Sequence, residues 1–308
     1  MPRRIEGLSG KPQIRRLSRP DIDLPRWNAA VRDSPANFPY GLSHWLDVAT
    51  AGRWEGLVVD DYRLVLPLPA LRRFGFLPVI IRPPYTQQLG PFGRPRPGDI
   101  AALLQAIPFR FQVSLPLIAS IPAEEISSRF RCRKRTNYEL DLSGEWAQIV
   151  SGFPRKLQAF LRQTAARDQL QPLEADEFVD LSRRHLAGRA GLRESDLTAL
   201  HTLILAARQH EFGQCYQLRE EGELLAAGFF PCFGRRTINL ATVTTERGRK
   251  RRGTSRLLAQ VMRQRAGTPG AIFDFEGSEL PGVRDFFAKF GGSDRGYYLL
   301  ESRPFGLG

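Results

Sequence analysis

The second half of the chain carries the clearest periodic pattern of apolar residues. Three segments have apolar residues at helical spacing and are predicted helices: 153–166, 175–186 and 195–210. Three strand-like runs separated by tight turns follow: 214–218, 224–233 and 237–245. The remaining predicted elements are a helix at 255–265, a strand at 271–275, a helix beginning near Pro281 and a strand at 297–301. The pattern therefore predicts an antiparallel set of strands interrupted and flanked by helices.

The first half repeats this order with different residues. Its predicted elements are a helix from residue 39, a hairpin of 54–59 and 62–68, a helix at 98–107 and a strand at 109–118. Residues 72–97 contain too many Pro and Gly residues to form one regular element. A strand at 136–142 leads into the second half. The similar order predicts a structural duplication, with its boundary between residues 129 and 143.

Composition adds a strong positive charge to this picture. The 308 residues have a net charge of +13, and all but five of the 45 basic residues are arginine. Arginine suits planar contacts to phosphate or carboxylate groups, so an anionic partner is one explanation. A GC-rich genome, which encodes arginine readily, is the other.

The sequence lacks the signals that are typical of several classes of protein. The three cysteines form no C-x-x-C pair, so the sequence indicates no disulfide framework and no zinc site. No apolar run reaches the length of about 18 residues that a membrane span needs. Residues 1–20 are basic and lack the apolar core of a signal peptide. We therefore expect a protein of the reducing cytoplasm with a flexible basic arm at 1–20.

A basic turn is the most informative local motif. Arg249, Lys250, Arg251 and Arg252 precede Gly253-Thr254-Ser255, between a predicted strand and a predicted helix. Free amides and the helix dipole at such a position favour phosphate oxygens. The segment fails the nucleotide-triphosphatase pattern G-x-x-x-x-G-K-[ST], because Thr254 replaces its lysine. The alternative is an ordinary solvated run of charges.

The same residues resemble a known cofactor turn. The segment 250–255 is similar to the Arg/Gln-x-x-Gly-x-Gly/Ala turn of the GNAT acyltransferase superfamily. Residues 274–291 and the basic helix opening at Phe153 resemble its double-GNAT branch, which includes the FemABX-type aminoacyl transferases and BioF2-like acetyltransferase domains. The resemblance implies an α/β (α+β) fold of two GNAT-like halves, 21–135 and 136–308. Each half would hold a mixed, mostly antiparallel central sheet flanked by helices.

The resemblance also implies a site for acyl-CoA, such as acetyl-CoA, as the acyl donor, and requires no metal. Amides near residues 251–255 would bind the pyrophosphate, Arg249 and Lys250 would add charge, and an N–H near Val243 would polarise the thioester carbonyl. Glu276 is the candidate general base and Asp274 the second candidate. Many relatives have a tyrosine in the last helix that protonates the leaving thiolate, and Phe287 stands at the corresponding place.

Three alternatives remain open at this point. FemABX-type enzymes use aminoacyl-tRNA as donor, which also suits the positive charge of this chain. A binding protein that kept the fold and lost catalysis is the second alternative. The third concerns the site alone, because Glu276, Gly277 and Ser278 can form a simple turn with a helix cap. If the protein is a transferase, the acceptor amine would lie in the groove between the halves, near residues 82–93.

Overall fold

A computed structural model describes residues 12–126, 129–186, 193–277 and 281–302. The fold is mixed α/β, with two eight-stranded sheets that are mostly antiparallel and flanked by helices. The predicted fold class is therefore confirmed. Within these ranges no helix has both the length and the apolar character needed to cross a membrane.

The strands of the first sheet come from both ends of the chain. They are β1 (Ile14–Ser18), β2 (Trp54–Val59), β3 (Leu64–Arg73), β4 (Leu77–Ile81), β5 (Phe92–Gly93), β6 (Gln112–Pro116), β7 (Phe130–Arg135) and β16 (Tyr297–Ser302). Their spatial order is β1-β2-β3-β4-β6-β16-β7, and β5 pairs with β3.

The second sheet has the matching arrangement. Its strands are β8 (Tyr138–Asp141), β9 (Gln169–Leu173), β10 (Gly213–Glu220), β11 (Glu223–Phe233), β12 (Arg236–Ile238), β13 (Ala241–Thr244), β14 (Ile272–Asp274) and β15 (Ser293–Asp294). Read from β9, the order is β9-β10-β11-β12-β14-β8-β15, with β13 on β11. Each sheet contains one parallel pair, β4 with β6 and β12 with β14. The two sheets therefore repeat one topology, as the expected duplication requires.

The helices lie on the faces of these sheets. They are α1 (Leu24–Arg32), α2 (Ser43–Thr50), α3 (Asp99–Gln105), α4 (Trp146–Ser151), α5 (Arg155–Thr164), α6 (Ala175–Leu186), α7 (Glu194–Gln209), α8 (Glu246–Lys250), α9 (Gly253–Arg265) and α10 (Pro281–Ala288). Short 3-10 turns follow β1 and precede α2. The sequence analysis missed α1, because Pro25 and two charged residues, Arg26 and Arg32, interrupt its apolar spacing.

The last strand of each repeated unit, β8 in the first unit and β16 in the second, lies in the sheet of the other unit. The C-terminal strand β16 lies between β6 and β7 of the first sheet, and the mid-chain strand β8 lies between β14 and β15 of the second. The 136–308 half therefore gives its last strand to the other sheet. One core cluster also spans both halves, because Phe178 of α6 and Leu203 of α7 pack with Trp45 of α2 and its neighbours. The halves share side-chain packing as well as backbone pairing.

The expected flexible arm at 1–20 is corrected by the structure. Residues 14–18 form β1, which pairs along its whole length with β2. Arg16 holds Glu55 with two hydrogen bonds of 2.6 and 2.9 Å, and Ile14 and Leu17 pack against the core. The charged residues of this segment are thus the outward positions of an edge strand. Residues 1–11 lie outside the described part of the chain.

Candidate functional site

The predicted strand 237–245 is broken at its centre, and this break shapes the site. Its first part, β12, runs parallel to β14. In the last hydrogen bond between the two segments, the Asn239 amide donates to the Asp274 carbonyl at 2.8 Å. After Asn239 the chain turns away as β13, which pairs with β11 alone in the described part of the chain. The sheet therefore splays apart between β13 and the residues that follow β14.

The direction of the free backbone groups on β13 follows from its pairing. The Thr245 amide donates to the Leu225 carbonyl at 3.1 Å, so this pair is hydrogen-bonded. Because such pairs alternate in an antiparallel ladder, the Val243 amide also faces β11. The amides of Thr242 and Thr244 then face the open edge. An N–H directed at a donor carbonyl would therefore come from Thr242 or Thr244 and not from Val243.

The basic turn is more helical than the sequence analysis expected. Residues Glu246–Lys250 form the short helix α8, and Arg252, with a φ of 50°, separates it from α9. Gly248 and Gly253 both rest on the backbone of β11. A Cβ on Gly248 would lie 1.8 Å from the Leu225 carbonyl oxygen, so the close approach of this segment requires glycine there.

Two amides at the start of α9 are open to a ligand. The Arg252 amide donates to the Arg249 carbonyl at 3.4 Å, which is one of the two bonds of a Schellman motif at the end of α8. In this motif the next amide, that of Gly253, faces back toward α8. No side chain caps α9. Among the described residues no acceptor takes the amides of Thr254 and Ser255. The two hydroxyls of Thr254 and Thr244 lie 2.5 Å apart and join this helix start to the end of β13.

The four basic residues before Gly253 divide into two pairs. Lys250 forms an ion pair with Glu246 at 3.2 Å, and Arg251 forms one with buried Glu220 at 3.0 Å. Arg249 donates to the Thr244 carbonyl, and the Arg252 guanidinium lies 4.9 Å above the Phe160 ring. Arg249 and Arg252 thus have only neutral partners in the described structure. Their charges are the ones available to an anion.

A cavity of about 470 Å³ adjoins the start of α9. Residues from α5, α9 and α10 line it: Pro154, Lys156, Leu157, Arg252, Ser255, Phe286, Lys289 and Phe290. Lys156 and Lys289 join Arg252 there, and neither forms an ion pair among the described residues. The cavity is therefore apolar on one side and cationic on the other, next to the open amides.

Phe287 does not line this cavity. Its side chain is 8% exposed, and its ring lies 5.2 Å from that of Phe275 in the core of the second half. The aromatic side chain of α10 that lines the cavity is Phe286, together with Phe290 just after the helix. The helix therefore presents no proton donor at the place where the resemblance called for a tyrosine.

The acidic end of the site begins at Asp274. This carboxylate is fully buried, accepts a 2.6 Å hydrogen bond from Arg236 and accepts a second from the Glu276 amide at 2.8 Å. Glu139 binds the same Arg236 guanidinium at 2.7 Å. Burial raises the pKa of Asp274 to about 6, although Arg236 opposes the shift. Both carboxylate oxygens of Asp274 accept hydrogen bonds. The side chain is therefore placed to fix the turn that leads to Glu276, and neither oxygen is free to take a proton from a substrate.

Glu276 has a different environment two residues later. It is half-buried, with a φ of 58°, and its Oε1 accepts a 2.5 Å hydrogen bond from the Tyr40 hydroxyl. In the described structure no donor contacts Oε2. Burial, reinforced by the charge of Asp274, raises the pKa of Glu276 to about 8. This side chain can therefore exchange a proton near neutral pH through its second oxygen.

The first half contributes directly to this acidic end. Tyr40 lies fully buried in the 3-10 turn before α2, and burial keeps the pKa of its hydroxyl well above the usual value. Gly277 lies against the 82–93 loop, because a Cβ there would lie 3.3 Å from Gln87 Nε2 and 1.8 Å from the Thr136 carbonyl oxygen. The loop and Glu276 are thus neighbours. Ser278, the alternative helix cap, lies outside the described residues.

Sequence reasoning missed Tyr40, Arg236, Lys156 and Lys289. Tyr40 and Glu276 are 236 positions apart, so no local pattern links them. Arg236 stands in a run of alternating strand residues, where its charge was an exception that could have indicated a buried partner. Groups of three or more metal-ligating side chains do not occur in the described ranges.

These features define the fold of the chain. The repeated sheet, the broken strand beside a parallel neighbour and the open helix start form the double-GNAT, FemABX-like fold. No protein-family model matches the sequence, and no curated protein matches it.

Solved structures carry the likeness. FemX shares 11% identity with a TM-score of 0.69, covering 92% of this chain and 96% of its own. The C-terminal domain of a putative lysylphosphatidylglycerol synthetase from Agrobacterium fabrum shares 14% identity with a TM-score of 0.57, covering 92% of both chains. A tandem GNAT protein of the clavulanic acid biosynthesis pathway shares 17% identity with a TM-score of 0.53, covering 96% and 99%. At these identities the likeness shows the fold alone.

Proposed function

We propose that this chain is a GNAT-type N-acyltransferase that moves an acyl group from acyl-CoA to an amine. The observation that carries the proposal is the cationic cavity at the start of α9, beside the open amides of Thr254 and Ser255. Phosphate oxygens are the ligands that such a helix start favours. Arg252, Lys156 and Lys289 supply positive charge around it.

The donor would extend from this cavity along the open edge of β13. Thr244 lies beside the start of α9, and the strand leads back toward the break at Asn239. A pantetheine arm carries amides, so it can pair with the open N–H groups of Thr242 and Thr244 and with the Thr242 carbonyl, whereas the Thr244 carbonyl already accepts from Arg249. The Thr242 amide would then stabilise the oxyanion of the tetrahedral intermediate.

Glu276 would act as the general base in this scheme. The amine nitrogen attacks the thioester carbon, the amine proton passes to Glu276 Oε2, and the carbon–sulfur bond breaks. The thiolate leaves without a donor from α10 and takes its proton from water. Because the pKa of Glu276 is about 8, turnover should increase with pH up to about that value.

Calorimetric titration with acetyl-CoA tests the donor. We expect saturable binding that weakens in Lys156→Gln and Lys289→Gln, because each variant removes a charge from the cavity wall. Binding that is absent up to millimolar concentration would contradict acyl-CoA as donor. Binding without turnover of any amine in a broad panel would support a binding protein that retains the fold.

Aminoacyl-tRNA is a second candidate donor. Its support is that the cationic surface extends past the cavity along α5, where exposed Arg155 and Arg162 form no ion pair in the described structure. A polyanion would use this extension, whereas one CoA would not. Tight tRNA binding that falls steeply with salt, combined with no affinity for CoA, would favour this candidate.

A further inference from the structure

Four phenylalanines project from one end of the first sheet. Phe74 and Phe76 lie in the turn between β3 and β4, and their side chains are 73% and 67% exposed. Phe109 and Phe111, in the loop before β6, are 70% and 44% exposed. We name this set the phenylalanine tips. They account for four of the six large apolar side chains that are exposed among the described residues.

The two loops form one surface. The Phe111 amide donates to the Pro78 carbonyl at 3.0 Å, and the Arg73 guanidinium donates to Gln112 Oε1 at 2.9 Å. These bonds hold the loop before β6 against the β3–β4 hairpin. The parallel pairing of β4 with β6 begins at the next residues, Val79 and Gln112. The four rings therefore have fixed neighbours and do not belong to independent tails.

The backbone of Phe74 is strained in this turn. Its φ is 52°, in the left-handed region that favours Gly, Asn or Asp, and Gly75 follows with a φ of 77°. A bulky aromatic residue at such a position lowers stability and gains no burial here, because its ring is exposed. Strain of this kind is typical of positions kept for a contact with another molecule.

Arginine accompanies the exposed rings, and carboxylates are scarce. Between Asp61 and Glu124 the chain has seven arginines and one carboxylate, Asp99, which is buried and paired with Arg63. Arg73 lies 5.3 Å above the Phe74 ring. Two carboxylates in the neighbouring strands are already paired: Glu55 of β2 is held by Arg16 and Arg110, and Glu301 of β16 is held by Arg133. The surface around the tips is therefore positive.

We propose that the phenylalanine tips dock this protein on the surface of an anionic lipid membrane. Exposed aromatic rings enter the interfacial region of a bilayer, while arginines bind the negative headgroups. Single-stranded nucleic acid also attracts arginine and aromatic residues, but it requires a groove along which bases stack. These rings are exposed in turns at the end of a sheet, an arrangement that suits insertion between lipid headgroups. The inference does not depend on the acyltransferase proposal.

Flotation with lipid vesicles tests the docking surface. The full chain should float with vesicles of mixed phosphatidylglycerol and phosphatidylcholine, and much less with phosphatidylcholine alone. Replacing Arg72 and Arg73 together by Gln should weaken binding to the anionic vesicles by about 25-fold, at about fivefold for each arginine. High salt should weaken binding of the wild type in the same direction.

The variant Phe74→Asn separates docking from folding. Asn accepts the left-handed conformation, so we expect an unchanged or higher melting temperature together with weaker vesicle binding, and a larger loss when Phe76→Ser is added. The matched control is Leu205→Ser, which alters an exposed apolar residue of α7 far along the chain. This control should float like the wild type.

Three results would overturn the proposal. The first is a wild type that does not float with anionic vesicles, and the second is equal flotation of the wild type and the Phe74→Asn/Phe76→Ser variant. The third is a protein that does not bind vesicles but binds oligothymidine, or forms a dimer in sedimentation, in a way that depends on the phenylalanine tips. That last result would assign the surface to nucleic acid or to a second copy of the chain.

Discussion

The two halves share one strand order but differ at the gap beside the broken strand, whose break lies between β4 and β5 in the first half and between β12 and β13 in the second. In the first half the Leu89 amide binds the Pro116 carbonyl and the Ile118 amide binds the Gly90 carbonyl, each at 2.8 Å. These bonds close the gap. In the second half the last hydrogen bond across the gap joins the Asn239 amide to the Asp274 carbonyl. Beyond this bond the edge of β13 is open in the described structure.

The chemistry at the two gaps differs as well. The parallel pairs end at Ile81–Ser114 in the first half and at Ile238–Asp274 in the second. By this register Ser114 corresponds to Asp274, and Pro116 corresponds to Glu276. The first half therefore has neither carboxylate at its gap. A duplicated fold has kept a possible proton acceptor in one copy only.

The helix starts next to the two gaps also differ. α3 begins with Asp99, whose carboxylate accepts the Arg96 amide at 2.6 Å and binds Arg63. The first half thus places its own anion at the helix start. α9 has no acidic residue in its first turn and leaves the amides of Thr254 and Ser255 without a protein acceptor in the described structure. The start of α3 therefore already has a negative charge beside it, whereas the first turn of α9 supplies none.

The largest expected effect comes from removing the carboxylate that distinguishes the gaps. Glu276→Gln should lower turnover by about a hundredfold or more, with donor binding unchanged, because a general base contributes about 10²–10⁴-fold. The rise of the wild-type rate toward pH 8 should disappear in the variant. Steady-state kinetics across pH measures both. A variant that keeps the wild-type rate and pH profile would remove Glu276 from the mechanism.

The next effect concerns the internal anion of the first half. Asp99→Asn removes the buried partner of Arg63, which keeps its ion pair with Asp60, so the free energy of unfolding should fall by about 1.5–3 kcal/mol. Donor affinity of the folded fraction should not change, because the site lies in the other half. Denaturant unfolding and calorimetry measure the two quantities. A loss of donor affinity would mean that the first half also binds the donor.

A smaller effect is expected from the cation at the open helix start. Arg252→Gln should weaken acetyl-CoA binding about tenfold, since hydrogen bonds to charged groups contribute about 1.5–3 kcal/mol. The matched control is Arg94→Gln, an exposed arginine shortly before α3. Equal losses in both variants would indicate a general charge effect and would contradict the assignment of the site to α9.

The last expected effect is on stability as a function of pH. The pKa of Glu276 is about 8 and that of Asp274 about 6, both above their ordinary values of 4.5 and 3.8. The folded protein therefore binds these protons more tightly, and the stability they contribute is lost as pH rises through 6 and then 8. Chemical denaturation should show a decline in this range that is shallower in Glu276→Gln. Parallel declines in both proteins would contradict the raised pKa of Glu276.

The sequence predicted the elements of the second half well, because their apolar periodicity is regular. It predicted Lys250 as a phosphate contact, but Glu246, one helical turn earlier, already binds that side chain. The break at Asn239 was not predicted, since residues with strand propensity continue on both sides of it. The exchange of β8 and β16 could not be predicted either, because element order along the chain is the same with and without it.

The most direct test follows the backbone amides of α9 by NMR during titration with acetyl-CoA and then with tRNA. We predict that the amide resonances of Thr254 and Ser255 shift on binding, while those at the start of α3, where Asp99 already places a negative charge, do not. Saturating donor that leaves the Thr254 and Ser255 resonances unchanged would contradict the account, because it places the anion of the donor on those two amides.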